Sequence, residues 1–309
     1  MKFHSSLLAL AAILISLPSA TAVDSVTRRS DNVTLRGTFS AMDPARVVIK
    51  RTNGEEVTVA VSNLKAVQFD GEPTNLNQAR SNERSGALEK ALGIIKEVGS
   101  TSDKRLKTEL QFLTARIMGK QALTDASKTQ AARDALEKFR TENQTTFRYL
   151  EATLMQAAVQ REAGTVDEAK TLLQEVQQSP VSGYQLQAGV DLGRLLLQDG
   201  DATGAQTAFE AVIQKSQGDE SASGALYDSM LGKALCLKQQ NSVDEAITVL
   251  DEVISKAPAS ETRTLAEAWV RKGDCFRQKN ESKAALMAYL HVDVLYPGEP
   301  AQPAEALAR

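Results

Sequence analysis

The stretch Trp269-x2-Lys272-Gly273-x2-Phe276, followed by Ala285-x3-Tyr289 and then Pro297, reads as two helices and a stop. Antiparallel helices approach closely where each carries a small residue, here Gly273 on the first and Ala285 on the second. Trp269, Phe276 and Tyr289 then fill the space around that contact. If packing is the cause, the step between the small residues must recur even where the bulky ones have drifted. It does: Gly193 to Ala205, Ala234 to Ala246 and Ala157 to Ala169 repeat the twelve-residue step of Gly273 to Ala285. Phe209, Leu250 and Leu173 each follow four residues later, as Tyr289 does.

This register resembles the tetratricopeptide repeat, a helix pair that stacks into a solenoid and usually binds proteins or peptides. The second-helix alanines 169, 205, 246 and 285 lie 36, 41 and 39 residues apart, against about 34 in the family, so these helices or turns are expected to be long. Two weaker copies precede them, one around Ala91 and one at Ala135-x3-Phe139. Ser127-x-x-Gln130, Thr165-x-x-Glu168 and Ser242-x-x-Glu245 read as capping boxes at the starts of second helices. Gly164 and Gly200 stand just before two of those starts, where a helix ends.

The N-terminal residues differ. Lys2, an apolar run from Leu7 to Leu17 and Ala20-Thr21-Ala22 read as a secretory signal, with the mature chain starting at Val23 or the signal kept as an anchor. From about Asn32 to Asp70, apolar residues alternate: Val33 and Leu35, Val47-Val48-Ile49, Val57, Val59 and Val61, then Val67 and Phe69. That predicts four or five short strands, with a tight hairpin at Asn53-Gly54 and a turn at Asp43-Pro44. So small a module, SH3-like if it closes, is expected to pack on the first helices through the short link Gly71-Glu72-Pro73. The expected fold is therefore mainly α: a tetratricopeptide-like α-solenoid preceded by a small antiparallel β module. The divisions are 1–22 signal, 24–70 β module, 74–145 weak helical repeats, and 146–309 tetratricopeptide repeats with the last incomplete.

Without the signal the chain carries 35 Lys and Arg against 39 Asp and Glu, which argues against nucleic acid as partner. No apolar run after the signal is long enough to span a membrane. His291 is the single histidine after the signal and lies beside apolar helix residues, so a packing role is expected of it. No metal-ligand spacing, phosphate loop or nucleophile elbow occurs, and neither cofactor nor catalytic residue is nominated. Cys236 and Cys275 hold the same place in adjacent repeats, on helices too far apart for a disulfide to be favoured over two buried thiols.

In the repeat geometry, residues just after the Phe276 position face the groove. They are Arg161, Lys238 and Arg277, with Arg194 one turn from Leu197, and Gln198, Gln239 and Gln278 one residue further on. This discontinuous basic ladder is the candidate peptide-binding site, suited to carbonyls, acidic side chains or a C-terminal carboxylate. Asp228, Glu267 and Asp274 on the same helices oppose it as internal partners. The clamp for C-terminal carboxylates in some relatives needs Lys and Asn where Val270 and Asp274 stand, so that activity is not carried over.

After Pro297, the segment Pro303-Ala304-Glu305-Ala306-Leu307 reads as another first helix before the chain stops. The preceding pair would keep an apolar edge for self-association or a partner. The arrangement resembles exported bacterial proteins of the kind seen in planctomycetes, on the residues Ala66 to Pro73 and Ala288 to Pro297. More distantly, the repeats are similar to periplasmic proteins that coordinate envelope assembly. The resemblance implies a non-catalytic, exported scaffold in the periplasm or cell envelope. The alternative is an accessory subunit of an envelope enzyme or secretion complex, with recognition carried by the β module.

Overall fold

A computed structural model describes residues 23–99 and 101–296; the expected signal and the segment 297–309 lie outside them. Five strands come first: β1 (Asp24–Arg28), β2 (Thr34–Met42), β3 (Arg46–Lys50), β4 (Glu56–Ala60) and β5 (Leu64–Gln68). They pair antiparallel in the order β4-β3-β2-β1-β5. A register shift at Phe39 to Ala41 lets the long β2 serve both halves, and a 3-10 turn at 61–63 separates β4 from β5. That is the order of an SH3-like barrel. The interior strand β1, between β2 and β5, escapes the alternation test because Val26 is its single apolar residue. Asn53-Gly54 lies in a five-residue connection, 51–55, and not in a tight two-residue turn, although Gly54 does take the expected left-handed conformation (φ 85°).

Twelve helices follow in six antiparallel pairs: α1 (Thr74–Arg84) with α2 (Leu88–Val98), α3 (Lys104–Ala122) with α4 (Thr129–Glu142), α5 (Tyr149–Glu162) with α6 (Val166–Gln177), α7 (Ser182–Gln198) with α8 (Ala202–Ser216), α9 (Ser223–Gln239) with α10 (Val243–Lys256), and α11 (Thr262–Gln278) with α12 (Ser282–Leu295). First helices α7, α9 and α11 each run 17 residues, and a further 3-10 turn at 220–222 falls inside the longest spacing. Both explain the stretched period.

The small-residue register holds, with one refinement. Ala157, Ala169, Ala205, Ala234, Ala246 and Ala285 are all buried, but the space left by each first-helix glycine is taken by the residue four beyond the alanine. A Cβ on Gly273 would lie 2.4 Å from the Tyr289 ring, and one on Gly193 would lie 2.5 Å from Phe209. Phe209 is gripped from its other side by Gly232, at 2.4 Å, so one ring locks two consecutive pairs. In the second pair α4 buries Ala132, Leu136 and Phe139, so the expected Phe139 is in the core, while the expected Ala135 is half-buried and Ala132 takes its place.

Helix ends follow one device. Gly86, Gly164, Gly200, Asn241 and Asn280 all have positive φ, and each stands five residues before its buried alanine. At each, the next residue's amide donates back across the turn, as Thr165 N does to Gln160 O (3.0 Å) and Glu281 N to Phe276 O (2.9 Å). Asn tolerates the left-handed region, which is why a search for glycine alone finds two of the later turns and misses two. Thr165 and Ser242 do stand at helix starts, yet neither side chain caps its helix; Thr165 Oγ1 donates instead to Gln160. Ser127 lies in a 3-10 turn capped by Asp125, two residues before α4.

Candidate protein-binding groove

Successive first helices touch one another, α3 with α5, α7 with α9 and α9 with α11, while successive second helices scarcely meet. The array therefore curves toward its first helices, and that face is the inner wall. Two regions of it differ.

Along α1, α3 and α5 the wall is ionic and buried. Arg80 is paired with Glu72 (2.6 Å) and Glu109 (3.3 Å), and Glu109 with Arg148 (2.7 Å). Arg148 reaches Glu151, which holds Arg116, which holds Glu83 (2.6 Å), itself bridged to Lys120. Phe112 lies between the guanidinium groups of Arg116 and Arg148, 4.8 and 4.7 Å from its ring centre. Burial alone would raise the Glu109 carboxyl, yet Arg148, Arg80 and Arg116 hold it down at about 2. Glu83 is likewise held low by Arg116 and Lys120 against its burial. Glu72 goes the other way, because burial outweighs its Arg80 partner. Apart from Glu72, named as part of the link to the helices, none of these residues stands out in the sequence. The signal was there: Glu83, Arg116 and Glu151 lie 33 and 35 residues apart, one repeat each, so opposite charges at repeat spacing mark neighbours on stacked helices.

The β module sits where these first helices begin. The buried Asp24 carboxylate accepts from Phe39 N, Asp70 N and Arg105 Nη1 of α3, the last at 3.1 Å. Arg105 also covers the Phe69 ring, Gln68 donates to Asn77 of α1, and Ser62 abuts Gly183 of α7. Module residues such as Ile49 of β3, Val61 of the 3-10 turn and Phe69 after β5 share one apolar core with Phe147, Leu150 and Val181. The module thus packs on the first helices of several pairs, reaching as far as the fourth.

The predicted ladder lies at the other end of the first helices, roughly 20 Å along them. Arg161 folds onto Glu162 at 3.0 Å. Arg194 bridges to Asp228 of α9 (2.8 Å) and to Asp191. Lys238 stands 3.9 Å from Asp274 of α11, and Arg277 stands 3.6 Å from the same carboxylate. Gln278 donates to Asn241 Oδ1 (3.2 Å), whereas Gln198 and Gln239 are exposed. Two of the three opposing acids therefore meet ladder cations, while Glu267 pairs with Arg271, which also donates to Leu231 O. The geometry brings Lys238, Arg277 and Gln278 together around Asp274 and Asn241; Arg161 stays apart.

Cys236 and Cys275 are both free and buried, with the Cys236 thiol pushed up by burial to about 11. His291 stacks on Trp269 with ring centres 4.1 Å apart. Among the described residues, no cluster of His, Cys, Asp or Glu could hold a metal ion, and no helix is long and apolar enough to cross a membrane.

Residues 190–261 match the sequence model of the family described as tetratricopeptide repeat, and the described residues fold as a tetratricopeptide-like array of helix pairs. No curated protein matches it. Among solved structures it is similar to the apo form of RapI, with 11% identity and a TM-score of 0.55 over 71% of this chain and 64% of that one. The similarity thus spans less than two thirds of RapI. PilF of Pseudomonas aeruginosa aligns at 14% identity and TM-score 0.51 over 76% of this chain and 96% of its own. The Rap conjugation gene regulator of plasmid pLS20, in complex with the Phr* peptide, aligns at 10% and 0.51 over 71% and 73%. At these identities the likeness is one of fold.

Proposed function

We propose that the protein is a non-catalytic, exported scaffold of the periplasm or cell envelope that holds a protein or peptide against the first helices α7, α9 and α11. The observation that carries this reading is the division of the inner wall. Where the helices begin, its α1 to α5 part is spent on the β module and a buried ion network, while the far ends of α7 to α11 present Arg194, Lys238, Arg277 and three glutamines toward solvent or in loose pairs. Lys238, 3.9 Å from Asp274, can exchange that partner for a ligand carboxylate. Of the proteins similar in fold, the pLS20 Rap regulator was solved with a peptide bound. The test is enrichment of partners from envelope extract by mature protein, beside an Arg161→Glu, Lys238→Glu, Arg277→Glu variant of equal helicity. Partners lost from the variant support the groove; equal recovery rejects it.

A second reading gives recognition to the β module, favoured by the free outer edge of β4, which exposes Glu56, Thr58 and Ala60. Because sheet and helices share one core, deleting the module would unsettle the repeats, so Thr58→Pro on the edge is the cleaner probe. At the other end Leu286, Met287, Leu290, Val294 and Leu295 of α12 are 42 to 70% exposed. This apolar face supports self-association through the C-terminal edge with a second copy. A strictly monomeric mature protein in concentration-dependent sedimentation would reject that.

A further inference from the structure

α2 and α3 pack together less closely than any other consecutive helices of the array. Between them and α4 lies a cleft of about 580 Å³, within the range of roughly 300–1,000 Å³ typical of small-molecule sites. Its floor is apolar, formed by Ile95, Leu110, Ala115 and Phe139, each only 1 to 8% exposed. A volume of that size suits a single flexible chain better than a helix about 10 Å across. Around the mouth stand Lys96, Lys107 and Lys138, whose ammonium groups make no hydrogen bond or ion pair within 4 Å among the described residues. The single acid there, Glu142, is engaged by Gln111 at 3.4 Å.

Three exposed ammonium groups therefore stand over one apolar crevice, and of them Lys96 interacts electrostatically with Glu89 of its own helix. An oily floor asks for hydrocarbon, and the cationic mouth asks for an anion at one end of it. We propose that this cleft binds a long-chain carboxylate, its alkyl tail laid over Ile95, Leu110 and Phe139 and its head held by Lys96, Lys107 and Lys138. The site lies apart from the ladder and does not depend on it.

Titration of the full mature chain with hexadecanoate, followed by displacement of a fluorescent fatty acid, tests this. Saturable binding at one site is expected, with hexadecyltrimethylammonium at least about tenfold weaker. Lys96→Gln, Lys107→Gln, Lys138→Gln together should weaken hexadecanoate about tenfold, three exposed charge contacts being lost. Ala135→Leu, a half-buried lining position, should weaken hexadecanoate more than octanoate while leaving the helical content unchanged. Equal affinity for the two amphiphiles, or undiminished hexadecanoate binding by the lysine variant, would overturn the assignment.

Discussion

In the first three helix pairs the faces that meet across repeats carry charge: Arg80, Glu109 and Arg148 in one chain of contacts, Glu83, Arg116 and Glu151 in another. In the last three, cross-repeat charge pairs such as Arg194–Asp228 are exposed, and the buried contact is a ring on glycine: Phe209 packs on Gly193 within its own pair and on Gly232 of the next, while Tyr289 packs on Gly273 within the last pair. The charged solution costs desolvation at every member, repaid only while each partner is present. The glycine solution needs no partner chemistry, only the absence of a Cβ. Stacking geometry alone therefore does not dictate what fills the interface. The half that also carries the β module uses directional contacts, which fix orientation as well as distance.

Removing one charge from the first half should have the largest effect. Glu109→Ala would leave the buried Arg148 and Arg80 with one carboxylate each, Glu151 and Glu72, with an expected cost of about 3 kcal/mol in urea unfolding; a cost below about 1 kcal/mol would mean water compensates and the contrast fails. The same carboxylate sets an acid limit. Its folded pKa of about 2 lies below its ordinary 4.5, so its contribution is full above about pH 4.5 and is lost as pH falls toward 2. Glu83 follows the same sign, and Glu72, shifted upward, opposes it. Hydrogen exchange during acid titration should open α1, α3 and α5 before α7, α9 and α11.

The complementary change belongs to the second half. Gly232→Ala would drive a Cβ into the Phe209 ring, fully buried and gripped from both sides, and should cost about 1–3 kcal/mol by thermal unfolding. Gly224, on the same helix with open space around it, is the control. An effect no larger than that of Gly224→Ala would show that the ring yields.

This contrast also explains how much of the fold is legible in the sequence. Packing by small residues leaves a fixed twelve-residue step, so Ala157, Gly193, Ala234 and Gly273 could be found and their helices placed. In the first half the step is masked: α4 buries Ala132 and Leu136 after an inserted 3-10 turn, and the interface charges look like any solvated helix face. The strand β1 was hidden for a similar reason, since the groups that hold it in place include a buried aspartate. Of the candidate ladder, the positions at the ends of first helices were legible. Which cations an acid would claim was not, because Asp274 serves Lys238 and Arg277 from a neighbouring helix and from its own.

The weakest contact sharpens the comparison furthest. Arg194 and Asp228 sit 2.8 Å apart across α7 and α9, the same one-repeat relation as Arg116 and Glu83, but both side chains are nearly half exposed, at 45 and 46%. Water screens such a pair, so a double-mutant cycle on Arg194→Ala and Asp228→Ala should give a coupling of about 0.2–1 kcal/mol. High salt should remove most of it. The Arg116–Glu83 cycle, at 17 and 2% exposure, should keep its coupling in the same buffer. If both couplings fade together, charge at repeat spacing is only a surface pattern in this fold; if only the exposed one fades, burial under the first helices converts the pattern into structure.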